Sequence, residues 1–453
     1  MAVLIDWRAG VLDLLTLNHA RLIIVSHLDL PIGDASSRSN HDRTTDGRRL
    51  RILAVGDVVP WPARDGYRLR FSSVLEALSD VGEIDLFLGV YAGQEDTRKL
   101  PSIFSRHEVV VVPKMNPSRA LVLLTARSQL PSLILWREWD EARARIRQFV
   151  RGPYDLVWYT HADTFVALGD PSFGPAVVDL DNLVDHILQR SFSPSFRTSN
   201  RAQIPIGIHH LHIAAIAKWA LNQRDRILWA RLQRSIAKKA ATTVVCSEVD
   251  RQRLRANRVA IIPNSYADPG PPSGPLPNEP NLVMVATFTY QPNLDGAHWF
   301  AHQVLPELRR LVPDVKVRLV GRYDERLAVA ASVPGVEIVG EVEMVGPELR
   351  NARGAVIPLL NGSGTRIKVL EAFAYALPVV TTEIGCEGLG ITAGRHALVQ
   401  SDPLAFAAAC AQILTDESLC EGLRQNGRSF FVDHYRTYTV AAQIRRTALG
   451  AAH

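Results

Sequence analysis

Residues 358–389 read PLLNGSGTRIKVLEAFAYALPVVTTEIGCEGL, and the fold prediction starts from them. An apolar run ends at Leu360, the small-residue loop NGSGT follows, and a helical pattern begins near Thr365 and leads to the next apolar run, PVVTT. Strand, loop, helix and strand in this order form the unit from which parallel sheets are built. The free N–H groups of the first helical turn would face the loop, where they attract anions such as phosphate. The alternative is that Gly362 and Gly364 only form a tight turn.

Similar units occur on both sides of this stretch. Apolar runs typical of buried parallel strands are separated, in most cases, by helical or loop segments. In the C-terminal half they are LVMVATF, KVRLVG, VEIVG, GAVIPLL, PVVTT and ALVQ, and in the N-terminal half RILAVG, EIDLFLGVY, HEVVVVPK, YDLVWYTH, PAVVDLDN, TTVVCS and VAIIPNS. The pattern predicts an α/β protein of two doubly wound, Rossmann-like domains.

Composition predicts the domain boundaries. Residues 33–48 are polar and turn-rich, so the N-terminal extension is expected to be poorly ordered, and a segment rich in proline and glycine indicates a linker. The predicted parts are an extension (1–48), an N-terminal domain (49–265), a linker (266–280), a C-terminal domain (281–428) and a C-terminal helix that packs back on the N-terminal domain (429–453).

The bulk properties exclude several classes of protein. Of 453 residues, 47% are hydrophobic and 21% charged, which is typical of globular domains. The net charge of +5 is spread without a basic run, which argues against nucleic acid and favours phosphate or an anionic membrane surface; a merely solvated surface is the alternative. We find no apolar run long enough to cross a bilayer, and the four cysteines stand singly. We therefore expect a cytoplasmic protein, peripheral to the membrane at most, with reduced cysteines and no metal site.

Charged residues in the helix after the loop indicate a ligand. Arg366 and Lys368 lie in the first turn, where positive charge is unfavourable for the helix and an anionic ligand would compensate it. Glu371 follows among apolar positions and would lie close to the end of the sheet. Its carboxylate could accept hydrogen bonds from sugar hydroxyls. The alternative for Glu371 is a solvated residue on the helix surface.

At this point the chain resembles glycosyltransferase family 4, whose members are retaining enzymes of the GT-B fold. The resemblance extends from Arg51 to about Tyr435 and rests on GTRIKVLEAFAYALPVV with EGL downstream, on FTYQPNLDGAHWF (288–300), and on VVCSEVDRQRL with IIPNS (244–265). It implies two domains facing across a cleft and transfer of a sugar from a nucleoside diphosphate sugar to a sugar or lipid-linked hydroxyl acceptor, with retention. It also implies a role in surface polysaccharide or glycolipid synthesis, without cofactor or metal.

The resemblance also implies a donor site in the C-terminal domain. Glu371 matches the second glutamate of the family's Glu-x7-Glu motif, but the first falls on Ser363, and Ala286 stands where many relatives have glycine. Pro292 and Asn293 match a Pro-Asn pair of the family. The residues expected to hold the donor are Gly321, Arg322, Ser363, Gly364, Thr365, Arg366, Lys368 and Glu371, with the three cations neutralising the leaving diphosphate.

The N-terminal domain supplies the acceptor side of the predicted site. Gly66 lies in a loop (61–70) that matches a ligand-facing loop of the family, and Arg68 or Arg70 could reach phosphate or be a plain surface arginine. Asp181 is the first choice for the catalytic group that handles the acceptor hydroxyl, because carboxylates at the ends of parallel strands point into the cleft. His161 is the second choice, and a structural histidine is its alternative. Together with Glu371 of the donor site, these two residues are the predicted catalytic residues.

A long basic helical region, about residues 208–239, adds a membrane hypothesis. Lys218, Arg224, Arg226, Arg231 and Arg234 lie among Trp219, Leu221 and Trp229, and such a surface could rest on anionic lipid. The HHLH cluster at 209–212 fits a helix face better than a zinc site.

Other activities stay open at the sequence level. Ser363 and Ala286 favour a catalytically silent subunit of similar fold that binds a nucleotide sugar or a partner transferase. A sugar epimerase or a phosphorylase of similar architecture is a further enzymatic alternative.

Overall fold

A computed structural model describes residues 48–63, 65–115, 129–190, 208–272, 274–362 and 366–452, excluding the side chains of residues 133 and 190 and of residues 208–218. Within them the chain forms two parallel sheets, one after the other. The predicted extension (1–48) lies outside this description up to residue 47.

The first sheet has seven parallel strands. They are β1 (Leu50–Gly56), β2 (Gly82–Val90), β3 (Phe104–Val111), β4 (Leu156–Thr160), β5 (Ala176–Leu180), β6 (Thr242–Val245) and β7 (Val259–Ile261). Their spatial order is β3-β2-β1-β4-β5-β6-β7, so the chain starts near the middle and winds outward in both directions. The register pairs Val55 with Phe87 on one side and with Tyr159 on the other.

The second sheet has six parallel strands. They are β8 (Asn281–Val285), β9 (Lys316–Val320), β10 (Val336–Gly340), β11 (Gly354–Ile357), β12 (Val379–Thr381) and β13 (Leu398–Val399). Their order, β10-β9-β8-β11-β12-β13, repeats the outward winding of the first sheet. The predicted doubly wound α/β architecture is therefore confirmed for both halves.

Helices cover both faces of each sheet. They are α1 (Gly66–Val81), α2 (Ser132–Leu135), α3 (Asp140–Phe149), α4 (His161–Leu168), α5 (Val184–Arg190), α6 (Ile208–Lys239), α7 (Glu248–Leu254), α8 (Gln291–Trp299), α9 (Leu305–Leu311), α10 (Ala328–Ala331), α11 (Gly346–Arg350), α12 (Ile367–Ala374), α13 (Glu383–Cys386), α14 (Pro403–Thr415), α15 (Glu417–His434) and α16 (Thr437–Ala451). No helix of the described residues is long and apolar enough to cross a membrane.

Alternation along the strands builds a core on each face. Leu53 and Val55 of β1 join one hydrophobic cluster, while Ile52 and Ala54 join the cluster on the opposite face. Because side chains alternate with a period of two, a strand covered on both faces has a continuous apolar sequence. This is why the apolar runs of the sequence predict the strands well.

The last helix belongs to the first half of the molecule in space. Val440, Ile444 and Ala448 of α16 are buried in the same cluster as residues of α1. Arg445 of α16 also contacts Asp80 at the end of α1, at 2.9 Å. The chain therefore crosses from the second sheet back to the first after α15.

Candidate functional site

Three polar side chains follow the three neighbouring strands at the centre of the first sheet. Asp57 follows β1, His161 follows β4 and Asp181 follows β5. Nε2 of His161 lies 3.0 Å from Oδ1 of Asp181, and its Nδ1 lies 3.6 Å from Oδ1 of Asp57. The imidazole is therefore placed between two buried carboxylates.

His161 is held in an unusual backbone conformation. Its φ of +65° is rare for a residue other than glycine, and it begins α4 directly after β4. The ring stacks on Tyr67, with centroids 4.0 Å apart. The hydroxyl of Tyr67 donates to Asp57 at 2.6 Å, so Tyr67 connects the ring to the carboxylate on its Nδ1 side. Strained conformations of this kind persist where the surroundings over-determine them.

Neighbouring charged groups determine the protonation states of His161 and Asp181. Burial alone would lower the pKa of His161, but the carboxylates of Asp181 and Asp57 outweigh it and hold the pKa well above its usual value. Burial would raise the pKa of Asp181, but His161 and Arg70 hold it below the usual value. At neutral pH the pair is therefore an imidazolium and a carboxylate. Asp181 can accept a hydrogen bond or a proton, whereas His161 has no free lone pair to act as a base.

The two arginines of the predicted N-terminal loop have different partners. Asp65 caps α1, which begins at Gly66, and Arg68 contacts Asp65 while donating to the carbonyl of Val59 at 3.2 Å. Arg70 is buried and forms a two-pronged ion pair with Asp179, at 2.7 and 2.8 Å. The structure thus places Arg70 in a buried ion pair under the acidic strand ends, not on the surface.

One trio in this cluster has the composition of a metal site. Asp57, His161 and Asp163 offer ligand atoms within 4.8 Å of one another. The guanidinium of Arg137, however, lies 3.3 Å from a carboxylate oxygen of each aspartate. A cation already bridges the two carboxylates, so these residues do not fit a metal ion without displacing Arg137.

In the second half, the predicted cations and carboxylate share helix α12. The helix begins at Ile367 with Arg366 as its N-cap residue, slightly later than the predicted start near Thr365. Arg366 is buried; it donates to the carbonyl of Gly362 at 3.2 Å and lies 3.6 Å from Glu387. The side chain therefore connects the loop to the EGL segment downstream.

Lys368 lies next to the first βα turn of the second sheet. Its Nζ donates to Oδ1 of Asn293 at 2.7 Å, and Asn293 donates to the carbonyl of Thr287. Burial and the nearby charge of Arg366 lower the pKa of Lys368 to about 8. The Pro-Asn pair singled out in the sequence thus lies against the lysine of the motif.

Glu371 is buried, with an exposed fraction of 1%, which excludes the solvated alternative. The hydroxyl of Tyr266 donates to its Oε1 at 2.7 Å. Burial raises the pKa of Glu371 to about 7, although Tyr266 and Lys368 act in the opposite direction.

The remaining donor-site predictions fall in different places. Ser363, Gly364 and Thr365 lie outside the described residues. Gly321 has a φ of +129°, and a Cβ there would lie 2.1 Å from the carbonyl oxygen of Ala286, so this glycine is required by strand packing. Arg322 is exposed and pairs with Glu341 at 3.1 Å.

A cleft separates the two halves next to these groups. Asp181, Asn182, Ser247 and Asp250 line the wall of the first domain, and Glu387, Gly388 and Leu389 line the opposite wall. The space between these walls is narrow, with a cavity volume of about 30 Å³, and it opens to solvent. Asp181 therefore lies on one side of the cleft, and Glu387, 3.6 Å from Arg366, lies on the other.

Sequence reasoning missed four residues of this region. Asp57 and Tyr67 hold His161, Tyr266 contacts Glu371, and Glu387 lies between Arg366 and the cleft. The position of Asp57, directly after the first predicted strand, was the available signal. Tyr67 and Tyr266 are brought to the site by contacts across the fold, for which the local sequence carries no signal.

Residues 279–416 match the family of glycosyl transferases, group 1. The match covers nearly all of the second sheet and its helices, and over these residues it confirms the predicted glycosyltransferase class. A curated protein of Klebsiella pneumoniae, described as an uncharacterized 44.6 kDa protein in the cps region, is 27% identical over 173 residues. This is 36% of the chain and 45% of that protein, so the match spans less than half the length of the relative.

Solved glycosyltransferase structures resemble the whole architecture. HepE of Anabaena, in complex with UDP and glucose, has a TM-score of 0.58 at 14% identity over 88% of this chain and 99% of HepE. Sucrose-phosphate synthase of Thermosynechococcus elongatus has a TM-score of 0.60 at 18% identity over 88% and 98%. WaaG, a glycosyltransferase involved in lipopolysaccharide biosynthesis, has a TM-score of 0.51 at 12% identity over 87% and 98%. The predicted GT-B fold is confirmed.

Proposed function

We propose that the protein transfers a sugar from a nucleoside diphosphate sugar to a hydroxyl group of an acceptor, with retention of anomeric configuration. One observation carries the proposal. In a chain whose residues 279–416 match glycosyl transferases, an ionised Asp181 held by His161 faces, across one cleft, the Glu387 segment that contacts Arg366. The arrangement offers an acceptor wall and a donor wall.

The donor would bind at the N-terminus of α12. Arg366 and Lys368 lie in or before its first turn, where an anion is favoured by the helix and by both cations. The backbone N–H groups of residues 363–365 would complete the phosphate site, and Arg322 would approach from the end of β9. The scheme needs no metal or cofactor, because these cations would stabilise charge on the leaving diphosphate.

Asp181 would hold the acceptor. Its carboxylate is ionised at neutral pH and lines the cleft, so it can accept a hydrogen bond from the acceptor hydroxyl. His161 would fix the orientation of Asp181, since its Nε2 lies 3.0 Å from that carboxylate. Asp181 is therefore the acceptor-handling group and His161 its partner.

Transfer assays with purified protein test this function. HepE was solved with UDP-glucose, so UDP-sugars are the first donors to try. We expect release of nucleoside diphosphate that depends on an added sugar or lipid-linked acceptor, and NMR of the product should show the anomeric configuration of the donor. An inverted product would reject retention, and no turnover with any donor in the panel would reject the enzymatic activity.

A role in surface polysaccharide or glycolipid synthesis is part of the proposal. The Klebsiella relative is described as a protein in the cps region, and WaaG is described as a glycosyltransferase involved in lipopolysaccharide biosynthesis. Activity that requires a lipid-linked acceptor would support this role, while full activity on soluble sugars alone would argue against it.

An exposed face of α6 supports a peripheral membrane contact at the cytoplasmic side. Trp219, Ile227, Arg231, Arg234 and Lys238 are all exposed, and from Ile227 onward they recur at spacings of three and four residues, along one side of the helix. This face differs from the sequence-level hypothesis, because there Trp229 belongs to the surface, whereas the structure buries it. The HHLH side chains and Lys218 lie outside the described side chains.

Co-sedimentation with vesicles tests the membrane contact. Wild-type protein should bind vesicles rich in anionic lipid and not neutral ones, and Arg231→Ser with Arg234→Ser should weaken binding by about 1 kcal/mol for each charge. Arg147→Ser with Arg151→Ser is the matched control, because both arginines are exposed in or after α3. Equal binding of all three proteins would reject this surface.

A second candidate function is a catalytically silent subunit that binds a nucleotide sugar. Ser363 favours it, because a serine stands where the resembling family has the first glutamate of its motif. Nucleotide binding without hydrolysis or transfer would identify this function, and the Ser363→Glu variant would then be tested for gain of transfer.

A further inference from the structure

Two crossings between the domains meet at one residue. The chain leaves the first domain after β7 and returns to it between α15 and α16. The backbone N–H of Tyr266 donates to the carbonyl of Tyr435 at 3.0 Å, and the carbonyl of Tyr266 accepts from Thr437 at 3.2 Å. These bonds form a parallel bridge between Tyr266 and Arg436. The backbone of Tyr266 is therefore part of the connection between the two halves.

The side chain of Tyr266 reaches into the second domain. It is 2% exposed, it packs in the hydrophobic cluster around α12, and its hydroxyl donates to Oε1 of Glu371 at 2.7 Å. A carboxylate has two oxygens that accept hydrogen bonds. The bond to Oε1 orients the group, and Oε2 is the oxygen that would accept a hydrogen bond from a hydroxyl of the ligand. One residue thus links the crossing to the carboxylate of the donor motif.

We propose that Tyr266 is a positioning residue that orients Glu371 for the donor and couples that orientation to the connection between the domains. The inference rests on the proposed function, in which Glu371 binds a ribose or sugar hydroxyl of the donor. Movement of the domains would move the two crossings, and the hydroxyl of Tyr266 would transmit that movement to Glu371.

The groups that face Glu371 determine the direction of the expected effect. Lys368 lies on the same helix with Arg366 beside it, Tyr375 follows at the end of the helix, and Tyr266 comes from the crossing. The pKa of Glu371 is raised to about 7 by burial, against the hydrogen bond from Tyr266 and the charge of Lys368. Removing that hydroxyl should raise this pKa further, so Glu371 would be neutral over a wider pH range.

The test compares two buried tyrosines whose hydroxyls donate to carboxylates. Tyr266→Phe removes the hydroxyl at Glu371 and keeps the ring. Tyr154→Phe is the matched control, because Tyr154 is buried in the first domain, away from the cleft, and its hydroxyl donates to Asp85 at 2.6 Å. The probe is UDP, with affinity measured by calorimetry between pH 6 and 9. At pH 7 we expect Tyr266→Phe to bind UDP about tenfold more weakly than wild type, and at pH 9 the difference from wild type should be smaller. In a Glu371→Gln background, the same substitution should have no further effect.

A second measurement needs no ligand. A carboxyl group whose pKa is raised by folding stabilises the protein fully at low pH and loses that stabilisation as pH rises through its folded pKa. The free energy of unfolding of Tyr266→Phe should therefore fall more between pH 5 and 8 than that of wild type or Tyr154→Phe. The difference should vanish when Glu371 is glutamine.

The outcomes separate the inference from the proposed function. UDP binding by Tyr266→Phe that equals wild type at every pH, or an equal loss in Tyr154→Phe, would overturn the positioning role. A wild-type chain that binds no nucleotide would overturn the proposed function alone, and the unfolding experiment would still decide whether Tyr266 controls the ionisation of Glu371.

Discussion

The two domains differ in how they hold their buried charges. In the first domain, buried cations and carboxylates are paired with each other, as in Arg70 with Asp179 and His161 with Asp181. In the second domain, burial shifts the pKa of Lys368 down to about 8 and that of Glu371 up to about 7, so both are displaced towards their neutral forms. The charges of the first domain stabilise each other, whereas an anionic, hydroxyl-bearing ligand would stabilise the charged forms of Lys368 and Glu371.

Breaking a buried ion pair of the first domain should have the largest effect, and the property affected should be the stability of the fold. Arg70→Met leaves Asp179 buried without its partner, and we expect the free energy of unfolding in urea to fall by about 3 to 5 kcal/mol. Burial already raises the pKa of Asp179 against the influence of Arg70, so the variant's aspartate should become neutral.

The neighbouring arginine is the control for this loss. Arg68→Met removes a more exposed pair with Asp65 and should change the same free energy by about 1 kcal/mol or less. If Arg70→Met lowers the free energy of unfolding no more than Arg68→Met does, the buried ion pairs of the first domain do not stabilise it as we expect.

The next effect in size should be on catalysis. Asp181→Asn should keep the fold and lower kcat by about 100-fold or more, because the amide cannot take a proton or hold the acceptor hydroxyl as a carboxylate does. The same change removes the larger charge that raises the pKa of His161, so the ring should lose its proton at lower pH than in wild type.

Steady-state assays and NMR titration of histidine-labelled protein measure the two parts of this prediction. Asp185→Asn is the control, since Asp185 pairs with Arg253 on the side of α5 and should leave kcat within about twofold. An unchanged kcat in Asp181→Asn would remove Asp181 from the mechanism.

The smallest effect should come from Lys368 in the second domain, and it should be a pH-dependent change in the affinity for UDP. A lysine whose pKa is about 8 loses its charge as pH rises through 8, so wild-type affinity for UDP should decline above that pH. Lys368→Met should weaken UDP binding about tenfold at pH 7, and Lys368→Arg should keep its affinity to higher pH.

Calorimetry measures these affinities, and a variant of an exposed lysine at the start of β9 is the control. Lys316→Met should bind UDP as wild type does, because its side chain is exposed at the beginning of the strand, away from the end that faces the cleft. A wild-type affinity that stays constant from pH 7 to 9 would show that the charge of Lys368 does not contribute.

The sequence predicted the fold better than it predicted the site. Strands covered on both faces are apolar throughout, so runs such as LVWYT can be recognised locally, and all five residues of β4 are buried. Asp181 and His161 could be singled out because they follow strands. The tyrosines that hold His161 and Glu371 could not be singled out, because they come from distant parts of the chain. Tyr67 contacts His161 and bonds Thr160, 93 residues away, and Tyr266 bonds Glu371, 105 residues away.

The sequence also did not show which of Arg68 and Arg70 is buried. Arg70 has the same local surroundings as Arg68, two positions earlier on α1, yet one is buried in an ion pair with a distant strand and the other lies partly exposed beside its own cap. Helical periodicity separates their directions, but only the tertiary structure shows that Asp179 meets one of them.

The packing of α16 has a consequence for how the protein is made. Val440, Ile444 and Ala448 complete an apolar core whose buried residues outside α16 come from the first domain, such as Phe71 and Leu75 of α1. During synthesis this surface would stay uncovered until the ribosome has released nearly the whole polypeptide. A fragment that ends at the linker would expose it permanently and should aggregate, so the first domain reaches its finished form only after the second has been translated.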